Sequence, residues 1–238
     1  MSEKIVPVDK DAHAKLKVDN KALSQLFAED HVIPVLVREF VGVAAEFPIV
    51  FVRNESTQQL HTVAMMGLKR GCNLYCQSEQ WTAPYMPQSM RNAPFSIGQK
   101  EQGSEELAVC IDENHPLVGK DKEYPLFDEQ GQQTEFLQSR AKSIASYIND
   151  TQQSIKFVEM LEQKGLLAPR DMQIKMKNGE ELTINGIFGI NEEKLNTLSN
   201  EDFNQLREQG LLAPIYAQLF SMQQIHRLTA KYMQQVKG

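Results

Sequence analysis

The spacing of hydrophobic positions changes about half-way along the chain. Over residues 1–131 the apolar residues form short runs divided by polar turns, which is typical of strands. From Thr134 onward they recur at intervals of three, four or seven residues, as one face of a helix requires. We therefore predict an α+β fold, with a mainly antiparallel β region over 1–131 and a mainly helical region over 132–238. We expect the two regions to form one compact unit.

The clearest strands of the first half flank a polar loop near residue 54. Two apolar runs, 48–53 and 60–66, surround the polar residues 54–59, so the pattern predicts a β-hairpin. The preceding stretch, 31–40, is rich in β-branched residues and predicts another strand. Pro34 lies within it and favours an edge strand or a strand start, because proline cannot donate a ladder hydrogen bond.

The helical half contains one predicted β-hairpin, over 172–184. Met172, Ile174 and Met176 alternate with polar residues, and Leu182 and Ile184 do the same. A three-residue loop, 177–179, pairs Ile174 with Leu182 and Met172 with Ile184, so that the apolar side chains share one face. A two-residue loop would put them on opposite faces. We predict the three-residue loop, with Gly179 in the left-handed conformation.

The helices of the second half are less sharply bounded. Polar residues 149–151 interrupt the first apolar stripe, so the pattern fits one long helix or two consecutive helices. The last helix is predicted from about residue 214 to 235. Segments 161–169 and 206–214 share the order leucine, polar residues, Gly-Leu-Leu-Ala-Pro. We interpret this recurrence as the same way of ending a helix at glycine, rather than as a duplication.

Composition and charge narrow the protein class. The chain is 41% hydrophobic and 24% charged, as globular proteins are, and its net charge is −6. It has no basic block, so we predict no nucleic-acid partner. No segment approaches the ~20 apolar residues of a membrane helix, and no secretory leader is recognisable. Together with three cysteines, an odd number, these features predict a cytoplasmic protein with free thiols.

Known catalytic motifs are missing from the sequence. It has no nucleophile elbow, no CxxC or HExxH motif and no glycine-rich phosphate loop, so we predict no cofactor and no metal and favour a non-enzymatic protein. The alternative is an enzyme whose site the fold assembles. For it we name His31, His61 and Glu39, the residue types of a two-histidine, one-carboxylate metal site, and Asp112, which follows a predicted strand. Cys110, within that strand, is interpreted as an unreactive core thiol.

Residues 81–95 form the most unusual stretch. They contain the only tryptophan, Trp81, together with Tyr85, Phe95, Arg91 and three prolines. Rigid aromatic rings and an arginine are typical of recognition surfaces, so these four are the candidate binding residues for a protein partner, a small ligand or a peptide. The alternative interpretation is a packing segment around a short helix over 87–92. The pattern specifies no oligomeric state.

Many positions match one family in order along nearly the whole chain. In the first half these are His31, Pro34, Glu39, Phe40, 46–51, Gly67, Leu68, 73–75, Trp81, 85–87, Arg91, Pro94, Phe95, 110–112, 125–128 and Gly131. In the second half they are 165–167, 186–188, Leu206, Arg207, Gly210, 216–219 and Ser221. On these residues the chain resembles the SapC family.

The resemblance implies one evolutionary unit, but it brings no catalytic motif. The family takes its name from a bacterial surface-layer gene region, and its genes often lie near those of flavin-dependent halogenase-like proteins and outer-membrane receptors. This setting implies a role beside the uptake or modification of a small molecule or peptide. We therefore expect an accessory or binding protein, with an enzyme as the alternative and a surface-layer assembly factor as a second alternative.

Overall fold

The computed structural model describes residues 4–19, 24–77, 80–100, 106–175, 179 and 181–237. Its strands are β1 (Ile5–Pro7), β2 (Lys17–Val18), β3 (Val32–Pro34), β4 (Ile49–Arg53), β5 (Leu60–Met65), β6 (Cys76–Gln77), β7 (Gln80–Trp81), β8 (Phe95–Gln99), β9 (Leu107–Asp112), β10 (Val118–Gly119), β11 (Tyr124–Pro125), β12 (Leu167–Pro169), β13 (Met172–Lys175), β14 (Glu181–Ile184) and β15 (Ile187–Ile190).

The described helices are concentrated in the second half, so the predicted α+β class is confirmed. They are α1 (Phe40–Ala44), α2 (Gln88–Asn92), α3 (Glu135–Gln163), α4 (Glu192–Asn196), α5 (Asn200–Glu208), α6 (Leu212–Ser221) and α7 (Ile225–Lys237). Short 3₁₀ turns occupy Ser24–Phe27, Val37–Glu39 and Met222–Gln224.

The chain divides into two compact units, each assembled from separate stretches of sequence. Unit 1 comprises residues 1–23 and 88–149, and unit 2 comprises 24–87 and 150–238. Both units therefore combine residues from either side of the predicted boundary at 131 and 132. Helix α3 begins in unit 1 and ends in unit 2.

Unit 1 is built on small antiparallel sheets. One sheet has the order β1-β9-β8 and the other the order β10-β2-β11. Their apolar side chains meet those of the N-terminal part of α3 in a single cluster, whose buried members are Val18, Phe95, Ile111, Leu117, Leu126, Phe127, Leu137 and Ile144.

Unit 2 contains a five-stranded antiparallel sheet of order β12-β15-β4-β5-β3. The predicted hairpin around residues 54–59 is confirmed, because β4 pairs with β5 from Ile49 opposite Ala64 to Arg53 opposite Leu60. Helix α6 packs on α1, β4 and β15. Strands β12 and β15 come from the half that the periodicity predicts to be helical, so one sheet joins both halves of the sequence.

The predicted strand over 31–40 is right only at its beginning. Strand β3 ends at Pro34 and is an edge strand, as the proline predicts. The remainder forms a 3₁₀ turn and helix α1, in spite of its β-branched residues. The Glu39 carboxylate accepts the backbone N–H of Leu36 at 3.0 Å, which stabilises the turn and overrides the local strand preference.

Two helix boundaries are not specified correctly by the apolar pattern alone. The stripe broken at 149–151 belongs to one continuous helix, α3. The predicted final helix over 214–235 is instead two helices, α6 and α7, joined by the 3₁₀ turn at Met222–Gln224. The apolar pattern continues through this turn, so periodicity alone does not reveal it.

The hairpin of the second half has the predicted register. Met172 pairs with Ile184 and Ile174 with Leu182, and Gly179 has a φ of +85°. Met176, the fifth apolar position of the prediction, and the loop residues 177 and 178 lie outside the described part of the chain. The four apolar side chains that pair across the two strands are all half-buried, as expected for a ribbon with one covered face.

The two similar segments end their helices identically and then diverge. Gly165 and Gly210 have φ values of +64° and +72°, which side chains larger than glycine rarely adopt. In each, the N–H of the next leucine donates to a carbonyl five residues back, Leu161 at 2.8 Å and Leu206 at 2.9 Å. After its glycine, the first segment continues into strand β12, and the second continues into helix α6. The recurrence is therefore shared capping, as the sequence indicates.

Candidate ligand-binding site

A pocket of about 770 Å³ lies within unit 2, beside the five-stranded sheet. Its walls are strand β14, the turn that follows it and the loop after β5. We call it the sheet pocket; it is lined by His31, Val32, Val52, Arg53, Glu55, Met65, Gly67, Leu68, Lys69, Arg70, Leu182, Thr183, Ile184, Asn185, Gly186, Ile187 and Phe188.

The floor of the sheet pocket is apolar because of strand register. Val52 lies opposite Ile187, and Met65 lies opposite Val32, in the sheet ladders. Directly paired residues point to the same face, and alternate residues of β5 connect the two pairs across the sheet. These four side chains therefore form two apolar pairs on the same face of the sheet, with His61 and Val63 of β5 between them.

The loop after β5 carries two basic residues to the pocket, Lys69 and Arg70. Its start is fixed by the His31 carbonyl, which accepts the backbone N–H groups of Met66 at 2.8 Å and Gly67 at 3.0 Å. A Cβ atom at position 67 would lie 1.9 Å from the Cys72 carbonyl oxygen, so only glycine lets the loop fold back this closely.

Two of the pocket's cations, Arg53 and Lys69, contact other groups of unit 2. The Arg53 guanidinium donates to the Gln58 carbonyl at 2.5 Å, lies 3.7 Å from the Glu162 carboxylate and is 5.1 Å from the centre of the Phe188 ring. The Lys69 ammonium lies 5.0 Å from the centre of the Tyr232 ring. These contacts fix where both positive charges stand at the pocket edge.

Arg70 is exposed, and within the described part of the chain it has no ion pair or hydrogen bond from its side chain. It also affects His31, the pocket's half-buried imidazole. Burial lowers the pKa of His31 and the nearby Arg70 charge lowers it further, while Asp30 acts in the opposite direction. His31 is therefore biased toward its neutral form, which can donate or accept a hydrogen bond.

Elsewhere on the same sheet, side chains from α6 bind the backbone where β15 and β4 separate. The Gln218 amide accepts the N–H of Ile190 at 3.1 Å and donates to the Ile49 carbonyl at 2.9 Å. The Ser221 hydroxyl accepts the N–H of Ile49 at 2.9 Å. We call this the anchored end of the β15–β4 ladder. Both polar side chains are buried and hydrogen-bond to backbone groups of the sheet.

The structure places two of the predicted binding residues, Trp81 and Tyr85, in a packed part of unit 2. The Trp81 ring lies 5.9 Å from each of Phe47 and Tyr75, centre to centre, and its N–H donates to the Tyr85 carbonyl at 2.9 Å. The Tyr85 hydroxyl donates to Glu39 at 2.7 Å. Both rings are half-buried, so each has a packing role besides any exposed surface.

The other two, Arg91 and Phe95, belong to unit 1. Arg91 is exposed in helix α2, which matches the helix expected over 87–92. Phe95 is 5% exposed and packs in the unit 1 core, with its ring 6.2 Å from that of Phe136. The Phe95 ring is therefore buried. The predicted binding surface of Trp81, Tyr85, Arg91 and Phe95 is corrected by removing Phe95.

The alternative polar site is distributed over different environments. His31 lines the sheet pocket, whereas His61 lies opposite Val52 on the same sheet face without lining it. Glu39 is buried, and its carboxylate accepts hydrogen bonds from the Leu36 backbone N–H and the Tyr85 hydroxyl. Asp112 belongs to unit 1, where it accepts the backbone N–H of Lys4 at 2.7 Å. Across the described residues, no three His, Cys, Asp or Glu side chains cluster as a metal site requires.

The three cysteines are free thiols. Cys110 is buried, and burial raises its pKa. Cys76 donates to the Ser24 carbonyl at 3.0 Å, and burial, followed by the charge of Asp30, raises its pKa to about 11. Both thiols are therefore kept protonated and weakly nucleophilic near neutral pH.

Sequence reasoning missed most of the residues that line the sheet pocket. Its basic residues, Arg53, Lys69 and Arg70, come from a strand end and a loop that gave no motif. One available signal was the Lys-Arg pair between Gly67 and Gly71, two adjacent cations framed by turn residues in an acidic chain. No sequence signal indicates that β14 lines the pocket, because its position there depends on where the hairpin packs in the tertiary structure.

Comparison with known proteins gives one match. The family model described as SapC matches residues 8–228. The chain belongs to the SapC family. No match to it was found among curated proteins or among solved structures. No described helix has the length and apolar character needed to cross a membrane.

Several residues that carry the SapC resemblance have structural tasks. Glu39 stabilises the turn before α1, and Gln218 and Ser221 complete the β15–β4 ladder. Asn73 accepts the N–H of Tyr75 and donates to the Phe27 carbonyl, both at 3.0 Å. Asp128 accepts two backbone N–H groups of its own turn. The resemblance therefore rests largely on residues that form the fold.

Proposed function

We propose that this SapC-family chain is a cytoplasmic, non-catalytic accessory protein that binds a small ligand or peptide in the sheet pocket. The observation that carries the proposal is the combination of an apolar floor with basic groups at its edge. Pockets of several hundred Å³, mainly apolar with a few polar groups, are typical of ligand sites. The volume of about 770 Å³ lies within that range.

The functional groups of the pocket favour binding over covalent chemistry. Its polar side chains include three cations and one amide, Asn185, and neither serine nor cysteine occurs among the described lining residues. Thr183 is the lining hydroxyl, on the exposed side of strand β14. A nucleophile held against a base, the arrangement that covalent catalysis requires, is not formed by these lining residues.

The thiols support the cytoplasmic part of the proposal. All three cysteines are free, and buried Cys110 packs as a small apolar side chain. Free cysteines persist in reducing compartments, whereas proteins of oxidising compartments usually pair them.

The proposed function is tested by filling the pocket. Val52→Trp adds an indole to the pocket floor, and Ile97→Trp makes a matched change on a strand of unit 1. Both variants are first compared with the wild type for folding by circular dichroism. Native mass spectrometry after gentle purification from a bacterial host should show a retained small molecule or peptide on the wild type and on Ile97→Trp, but not on Val52→Trp.

The contrary result is equal retention by all three proteins, which would place binding outside the sheet pocket. Metal analysis of the same samples separates a retained ion from an organic ligand. A metal lost from His31→Ala but kept by Ile97→Trp would favour the enzyme alternative and contradict the non-catalytic proposal.

A further inference from the structure

We infer that the sheet pocket selects an organic anion with an apolar body, whose charged group lies at Arg70 and His31. Its apolar part would lie on Val52, Leu182 and Ile184. This inference rests on the proposed function, because it names the ligand class for the same pocket.

The charge of the pocket lining favours an anion. The lining contains Arg53, Lys69 and Arg70 against a single carboxylate, Glu55. The whole chain has a net charge of −6, so the pocket is locally opposite in sign to the protein around it. A concave site lined by one sign of charge over low-dielectric walls concentrates ligands of the other sign.

Among the arginines of the pocket, Arg70 is the one available to a ligand. Arg53 is already engaged by the Gln58 carbonyl and the Glu162 carboxylate, so part of its charge is neutralised within the protein. Arg70 has no such partner among the described residues. A guanidinium binds a carboxylate or a phosphate through two parallel hydrogen bonds. His31 lines the same pocket, and its imidazole adds a third hydrogen-bonding group.

The apolar lining of the pocket favours an organic ligand over a purely inorganic one. Met65 and Ile187 are already buried within the protein, whereas Val52 of the sheet and Leu182 and Ile184 of the hairpin are half-buried and keep apolar surface exposed to the pocket. An inorganic anion would leave this apolar surface uncovered. An alkyl or aryl group would remove it from water, at roughly 25 cal/mol for each Å² covered.

The inference is tested by calorimetric titration of the full chain with four probes that share a ten-carbon chain, each below its micelle concentration. They are decanoate, decyl phosphate, decyltrimethylammonium and neutral 1,2-decanediol. The two anions should bind at least tenfold more tightly than the cation and the diol. Whichever anion binds more tightly shows whether the preferred head group is a carboxylate or a phosphate.

Two arginine variants locate the charged group. Arg70→Gln should weaken binding of the better anion about tenfold or more, the usual effect of losing a hydrogen bond between charged groups. Arg70→Lys should restore part of that affinity. Arg207→Gln, a matched loss of an exposed arginine outside the pocket, should leave affinity unchanged.

Two results would overturn the inference, and they differ in what they leave standing. If all four probes bind alike and Val52→Trp blocks them all, the pocket binds ligands without anion selectivity, and the proposed function survives. If the anions bind equally well to wild type, Arg70→Gln and Val52→Trp, their site is elsewhere. In that case the retained-ligand experiment decides the proposed function separately.

Discussion

The two ends of the β15–β4 ladder use polar side chains in opposite ways. At the anchored end, Gln218 and Ser221 are buried, and their hydrogen bonds complete the backbone of Ile49 and Ile190. At the other end, which we call the pocket end, Val52 pairs with Ile187 beside the basic edge of the sheet pocket.

The comparison separates polar residues that maintain the fold from those available to a ligand. Gln218 and Ser221 belong to the residues that carry the family resemblance, whereas Arg70 does not. A buried polar group with all its partners inside the protein has little capacity for a further ligand. We therefore expect changes at the anchored end to alter stability and changes at the pocket end to alter binding.

The largest expected effect is that of Gln218→Ala. It removes partners from the Ile190 N–H and the Ile49 carbonyl, both at the buried anchored end, so the free energy of unfolding should fall by about 3 kcal/mol. Chemical denaturation measures this change. Gln223→Ala, on an exposed position two residues beyond Ser221, should stay within about 0.5 kcal/mol of wild type. Similar small losses in both variants would contradict the anchoring role.

Ser221→Ala should have a smaller effect at the same end. It leaves the N–H of Ile49 without its acceptor, and the expected loss is about 1–2 kcal/mol. The double variant with Gln218→Ala should be less destabilised than the sum of the single changes, because both side chains hold the same residue, Ile49. Strict additivity in a denaturation cycle would show that the two anchors act separately.

Arg70→Gln should leave stability nearly unchanged, since the side chain is exposed. We expect a change within about 0.5 kcal/mol in the free energy of unfolding. Denaturation curves measured beside those of Gln218→Ala make the contrast between the two ends direct. A loss comparable to that of Gln218→Ala would mean that Arg70 is part of the fold and not reserved for a ligand.

The smallest expected effect is on titration of His31. Its pKa is lowered by burial and then by Arg70, so Arg70→Gln should raise the pKa toward the ordinary value of about 6.5. Because the folded state disfavours the protonated imidazole, His31 should also make the protein less stable as pH falls below about 6.5. Histidine NMR titration of the two proteins checks the first point. An unchanged pKa would mean that Arg70 does not influence His31.

Local sequence patterns predicted elements where local and tertiary preferences agree. The 172–184 hairpin has its predicted register because one pairing alone puts Met172, Ile174, Leu182 and Ile184 on the same face. The stretch 31–40 departs from its strand prediction after Pro34, because the Glu39 side chain completes a turn there. Strand propensity depends on residue type alone, so it does not include such a hydrogen bond between a side chain and the backbone.

The candidate site was less predictable because it joins distant segments. His31, Arg53, Arg70 and Leu182 line one pocket, although more than 150 positions separate the first from the last. Only His31 of these was singled out by residue type. The segment 81–95 is compositionally conspicuous, yet Phe95 contributes its ring to the unit 1 core. Unusual composition marked a region of dense packing there rather than a complete surface.

The most direct test of the account is methyl NMR of the full chain during titration with decanoate. The methyl groups of Met65, Ile184 and Ile187 report on the sheet pocket, and that of Ile97 reports on unit 1. The account predicts saturable shifts at the three pocket methyls and none at Ile97, with the shifts reduced at equal decanoate concentration in Arg70→Gln. Shifts that avoid the pocket methyls, or that are identical in Arg70→Gln, would contradict it.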